Sequence, residues 1–163
     1  MKIGSREIAL TAIFAAMYAI GVILLAPISF GIYQVRVADA LLPLSIIFGF
    51  PAALGLSLGC FIANLYANLS IVDVFGGAIA NFVACVLAWF IGRGGIIRRF
   101  LACLIETLII TVIVGGYLSL IFEVPVEVSL LGVLVGSLIA INILGFMLLE
   151  GLYRSGMAER YRD

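Results

Sequence analysis

The chain has 163 residues, 65% of them hydrophobic and only 11% charged, with a formal net charge of zero. A soluble domain carries roughly 25% charged residues. The composition, with a mean hydropathy of +1.33, therefore points to a helical membrane protein and leaves no basic field for nucleic acid. There is no histidine, and Cys60, Cys85 and Cys103 stand singly in apolar runs. That excludes an ordinary Ser-His triad and gives no C-x-x-C spacing for a metal or redox centre. The expectation is one integral-membrane domain over 1–163, all-α, with no metal and no cofactor. The first apolar run reads as a retained helix, since no small-residue cleavage site leads into a soluble chain.

Helix 1 is expected from Ser5 to Leu25, after Lys2 and Arg6. Ala9, Ala12, Ala16 and Ala19 recur at steps of three and four, which makes a smooth stripe of the small-xxx-small kind. Two readings of it stand open: packing inside its own bundle, which the composition favours, or docking to a separate membrane subunit.

Next comes Ile32-Tyr-Gln-Val-Arg-Val-Ala-Asp-Ala-Leu-Leu-Pro43, where Gln34, Arg36 and Asp39 fall within six positions between two apolar runs. Gln34 and Arg36 alternate with Val35 and Val37, which reads as a short extended segment. Asp39 stands at the N-cap position of a helix from 39 to 50 that carries Pro43 in its first turn. A dozen residues are too few to span a bilayer untilted, so this helix is expected to start below the surface and draw Arg36 and Asp39 inward.

Gly49-Phe50-Pro51 makes a turn, and helix 3 follows from 51 to 69. Gly55-x-x-x-Gly59 invites close helix packing. Asn64 and Asn68 share a face that should point inward, because an amide facing lipid is costly. Helix 4, from 73 to 92, aligns Asp73, Gly77, Asn81, Ala84 and Ala88. Gly92-Arg93-Gly94-Gly95 lacks the Gly-Lys-Ser/Thr ending of a phosphate-binding loop. Helix 5, from 97 to 122, holds Glu106 and Tyr117. Glu123, Pro125 and Glu127 turn into helix 6, from 128 to 153, whose small stripe is Gly132, Gly136 and Ala140, with Asn142 pointing elsewhere.

Six helices put both termini on one side. That side collects Lys2, Arg6, Arg93, Arg98, Arg99, Arg154, Arg160 and Arg162, against Arg36 alone on the other. The positive-inside rule then makes the termini cytoplasmic. Gln34, Arg36, Asp39, Asn64 and Asn68 fall at or within the outer half. Asp73, Asn81, Tyr117 and Glu123 join them there from later helices. Apolar walls with a few placed polar groups are the pattern of a ligand pocket.

Asp39 with Asp73 or Glu123 could work as an acid–base pair, but no nucleophile or metal set accompanies them, so a binding or transport role is expected rather than an enzyme. The outer carboxylates form no filter-like repeat for a channel. A small ion-coupled secondary transporter is the competing class, although no inverted repeat or broken helix pair is visible.

The stretch from Ile32 to Pro43 resembles the signature of the QueT-type proteins, Gln-x-Arg-x-x-Glu-Ala-Leu-x-x-Leu-Pro, with Asp39 at the glutamate position. Gly59-Cys-Phe-Ile-Ala-Asn64 is similar to the family's Gly-x-x-Ile-Ala-Asn, and Asp73-Val-Phe-Gly76 to its Asp-x-x-Phe-Gly. The likeness covers Ala9 to Ile91; from Ile96 onward it is one of hydropathy. It implies a six-helix S component, the substrate-binding membrane subunit of an energy-coupling factor (ECF) transporter, taking up queuosine precursors, the 7-deazaguanines. It also implies a transmembrane coupling subunit and two ATPase subunits as partners, and turns the helix 1 stripe, Ala12, Ala16 and Ala19, into a docking face. Another vitamin or nucleobase stays open as substrate. A deazaguanine offers a donor edge for a carboxylate and a carbonyl for an arginine or amide. An aminomethyl substituent would need a second carboxylate, and Tyr33, Phe75 or Tyr117 would cover the ring.

Overall fold

The computed structural model describes residues 4–31 and 34–162; Lys2, Ile32 and Tyr33 lie outside the described residues. Every regular element among those described is helical. Five helices are long and apolar enough to cross a membrane, which makes this a multi-pass membrane protein. They are α1 (Ser5–Leu24), α4 (Phe50–Ala67), α5 (Ile71–Ile91), α6 (Ile96–Ile121) and a last span, Val126–Arg154. Each end falls within two residues of the sequence expectation. The boundaries follow local chemistry. Glu7 accepts the Gly4 N–H at 2.8 Å and closes the start of α1. Ser70 accepts the Val72 N–H at 3.2 Å and caps α5. Pro51 occupies the first turn of α4, where a missing N–H costs nothing.

Between α1 and α4 the chain makes one turn, α2 (Ala26–Ser29), and then folds back, the Val35 N–H donating to the Ile28 carbonyl at 2.9 Å. The predicted short helix over 39–50 is present but shifted and tighter. It is a 3-10 helix, Val37–Leu44, that relaxes into a single α turn, α3 (Ser45–Phe48). Arg36, not Asp39, holds its cap position, and Asp39 sits inside the first turn with its side chain turned to α1. The last span is not one continuous α-helix either. It runs as α7 (Val126–Ser137), a π-helical stretch Leu138–Gly145, and α8 (Phe146–Arg154), followed by α9 (Met157–Arg162).

The long helices pack in chain order, α1 on α4, α4 on α5, α5 on α6 and α6 on α7. Lipid gives no hydrophobic drive between helices, so close backbone approach has to hold the bundle. Gly55 and Gly59 provide it. A Cβ on Gly59 would meet the Ala15 carbonyl oxygen at 2.6 Å, and one on Gly55 the Thr11 carbonyl oxygen at 2.5 Å. The Gly132, Gly136 and Ala140 stripe is buried and receives the polar stretch: a Cβ on Gly136 would collide with the carbonyl of Gln34. The 3-10 helix thus threads the middle of the bundle, against the π-helical stretch and four of the long helices.

The two ends differ. Arg6 stacks on the Tyr161 ring at 4.6 Å, which brings the two ends of the described chain together. The α5–α6 turn is there too, with Arg93 over Trp89 at 4.5 Å. Arg99 pairs through two nitrogens with Glu150 and tethers α6 to α8. Asn68 and Glu123 mark the opposite end, both exposed and both with positive φ, 51° and 53°.

Candidate functional site

The polar residues of the motif segments meet inside the bundle as two hydrogen-bonded knots. In the first, Tyr18 of α1 donates its hydroxyl to Asp39 Oδ1 at 2.5 Å. Phe14, Tyr18 and Val22, four residues apart, form the buried face of α1, and this aims the phenol at the 3-10 helix. In the second knot, Asp73 Oδ1 accepts from the Tyr117 hydroxyl at 2.9 Å, and the Asn64 amide donates to the Asp73 carbonyl at 2.8 Å. Tyr117 comes from α6, Asn64 from α4 and Asp73 from the first turn of α5.

Cys60 links Arg36 to the second knot. Its sulfur accepts from Arg36 Nη1 at 3.6 Å and from Asn64 Nδ2 at 3.7 Å. Arg36 is 6% exposed and makes no ion pair among the described residues; its guanidinium lies 5.6 Å from the Phe30 ring centre, and its Nε has no partner. A buried cation that meets, among the described residues, a soft sulfur and an aromatic face rather than a carboxylate in an ion pair is a costly arrangement. Asn64 Oδ1 and Asp73 Oδ2 are also unpartnered. Few buried groups go unpaired without a reason.

Beside the first knot lies a small cavity of about 10 Å³, room for about one water molecule. Gln34, Arg36, Asp39 and Asn81 face it from one side. Ile110 and Val114 of α6 and Val133 and Ser137 of α7 close the other. A larger cavity, about 550 Å³, opens at the end bearing the termini among Phe48, Phe50, Leu54, Trp89, Arg93 and others. It contains none of the predicted site residues.

The family model described as QueT transporter matches residues 8–154. The chain belongs to the QueT transporter family. No curated protein and no solved structure matches it. The QueT match runs well past Ile91, into the half where the sequence offered only hydropathy. Membership makes this multi-pass chain a transporter with a small-molecule substrate rather than an enzyme.

Seven of the nine predicted QueT site residues are buried: Gln34, Arg36, Asp39, Asn64, Asp73, Asn81 and Tyr117. Asn68 and Glu123 are not brought in. Asn68 ends α4 as a left-handed cap, and Glu123 sits on the turn after α6 with its side chain exposed. Phe75 is 53% exposed and packs on Phe61, so it does not cover the site, and Tyr33 lies outside the described residues. On α1, Ala12 and Ala16 are exposed, whereas Ala19 is buried at 7%. The residues of this buried network that the sequence reading missed are Tyr18 and Cys60. Cys60 lies inside a quoted motif. Tyr18 could have been found as the larger of two polar residues, with Thr11, on the α1 face that meets α4.

Proposed function

We propose that this chain is the substrate-binding S component of an ECF-type importer and captures a 7-deazaguanine queuosine precursor from outside. The observation that carries the reading is the burial of Arg36, Asp39, Asn64 and Asp73, each from a family-like motif, with Arg36 and Asn64 meeting at the Cys60 sulfur and Asn64 bonded to the Asp73 carbonyl. A carboxylate and an amide offer the complementary edge for a fused bicyclic base, and Arg36 its carbonyl partner. The chain is read as one domain with six membrane crossings, the short Val37–Phe48 helix counting as the second, and with cytoplasmic termini. Capture then requires the 3-10 helix to part from α6 and α7, since the cavity between them is small.

Energy would come from partners, a transmembrane coupling subunit and two ATPases. Support comes from α1. It is the least buried of the long helices, 22% against 39% to 56%, and its open face carries Ala12 and Ala16.

Calorimetric titration of the detergent-solubilised protein with 7-cyano- and 7-aminomethyl-7-deazaguanine, beside riboflavin and biotin, tests the substrate. Asp39→Asn keeps shape and exchanges an acceptor for donors; it is expected to weaken binding about a hundredfold. Binding of a control vitamin alone would reject the deazaguanine. Ion-driven uptake in liposomes lacking an ATPase would replace the S-component reading with a secondary transporter.

A further inference from the structure

Glu106 is fully buried near the middle of α6, and neither carboxyl oxygen has a hydrogen-bond partner among the described residues. Ionisable groups at this depth are expensive and usually functional. Its placement is specific. Glu106, Ile110 and Val114 follow one another at four-residue steps, so they share one helix face, and Ile110 and Val114 already line the cavity. Glu106 is not itself among the residues lining the cavity; it lies one turn below Ile110 on the same face of α6. Asn81 stands ten residues before the end of α5 at Ile91, and Glu106 ten after the start of α6 at Ile96. In this antiparallel pair the two share a level, about 15 Å from the common turn. Asn81 faces the cavity and its amide nitrogen is also unpartnered.

The other carboxyl groups are less suited to a cation in this cavity. Asp39 is engaged by Tyr18. Asp73 is engaged by Tyr117 and by its place at the start of α5 belongs to the second knot, with one oxygen left over. Glu123 and Glu127 are exposed.

We propose that Glu106 is the floor of the substrate site and selects ligands that bring a primary ammonium, favouring the aminomethyl over the cyano form of a 7-deazaguanine. This rests on the substrate reading above. A carboxylate–ammonium pair makes charge-assisted hydrogen bonds that a nitrile cannot make.

The test titrates wild type, Glu106→Gln and Glu106→Asp with both compounds. Wild type is expected to bind the aminomethyl form at least about tenfold more tightly. Glu106→Gln should lose about fiftyfold or more for that form and change by less than about threefold for the cyano form. Glu106→Asp should recover part of the loss. Equal losses for both compounds, or none, would overturn the proposal. So would a wild-type preference for the cyano form, a measurement that stands even if the variants fail to fold. Wild type binding neither compound would remove the substrate reading and this inference together, whereas an unaltered Glu106→Gln beside a tightly binding wild type removes this inference alone.

Discussion

Tyr18 and Tyr117 each spend a hydroxyl on an aspartate inside the membrane bundle. Leaving such an acceptor unpaired costs about 1–3 kcal/mol. Tyr18→Phe should therefore lower the melting temperature in detergent by several degrees and weaken ligand binding about tenfold. Combining it with Asp39→Ala in a double-mutant cycle reads the coupling directly; an additive cycle would mean the bond contributes nothing. Asn68 obeys a different logic. It ends α4 in the left-handed region, where a β-branched side chain is strained and glycine is not. Asn68→Gly should be close to neutral and Asn68→Val destabilising, with ligand affinity unaltered in any variant that folds. A large loss of affinity in Asn68→Gly would place Asn68 in the site after all.

At the scale of elements, α1 has two faces with opposite duties. One is closed against α4 through Gly55 and Gly59. The other exposes Ala12 and Ala16. Bulk on the closed face has nowhere to go, so Gly59→Leu should abolish folding, seen as loss of the monodisperse peak in size exclusion. Ala12→Leu or Ala16→Leu should leave ligand binding intact and stop transport when the partner subunits are present, because bulk blocks helix approach. Normal transport by both variants would make that face lipid-facing only. The 3-10 helix and the π-helical stretch are the irregular elements, and they pack on each other. Pro43 lies in the first and Asn142 in the second, where it accepts from Thr107 Oγ1 at 2.6 Å. Irregular backbone at membrane depth is tolerated where protein buries it, and π turns often accompany functional sites.

For the whole molecule, the arginine asymmetry is the property that sets orientation. Single cysteines at Gly95 or Ser155 are expected to label from the cytoplasmic side and those at Asn68 or Glu123 from outside. Cys60, Cys85 and Cys103 are buried and should contribute little background. Labelling of Gly95 from outside only would invert the topology and the direction of capture.

Hydropathy and capping are local properties of the chain, so the membrane class, the five long spans to within two residues and the family-like motif segments were legible in the residues alone. So were the glycine and alanine stripes, whose four-residue spacing is a helical property. Which polar residues meet is settled by packing between elements, which no local pattern encodes. Asn64 and Asn68 are equivalent by periodicity, yet one is buried and the other ends the helix in a left-handed turn. Tyr18, Asp39 and Cys60 come from three separate elements, and nothing in their spacing announces that α1 and α4 will cross the 3-10 helix at their level. Glu106 was visible in the sequence as a charge in an apolar run. Its place below the cavity follows from how α5 and α6 pair, which is a matter of packing rather than pattern.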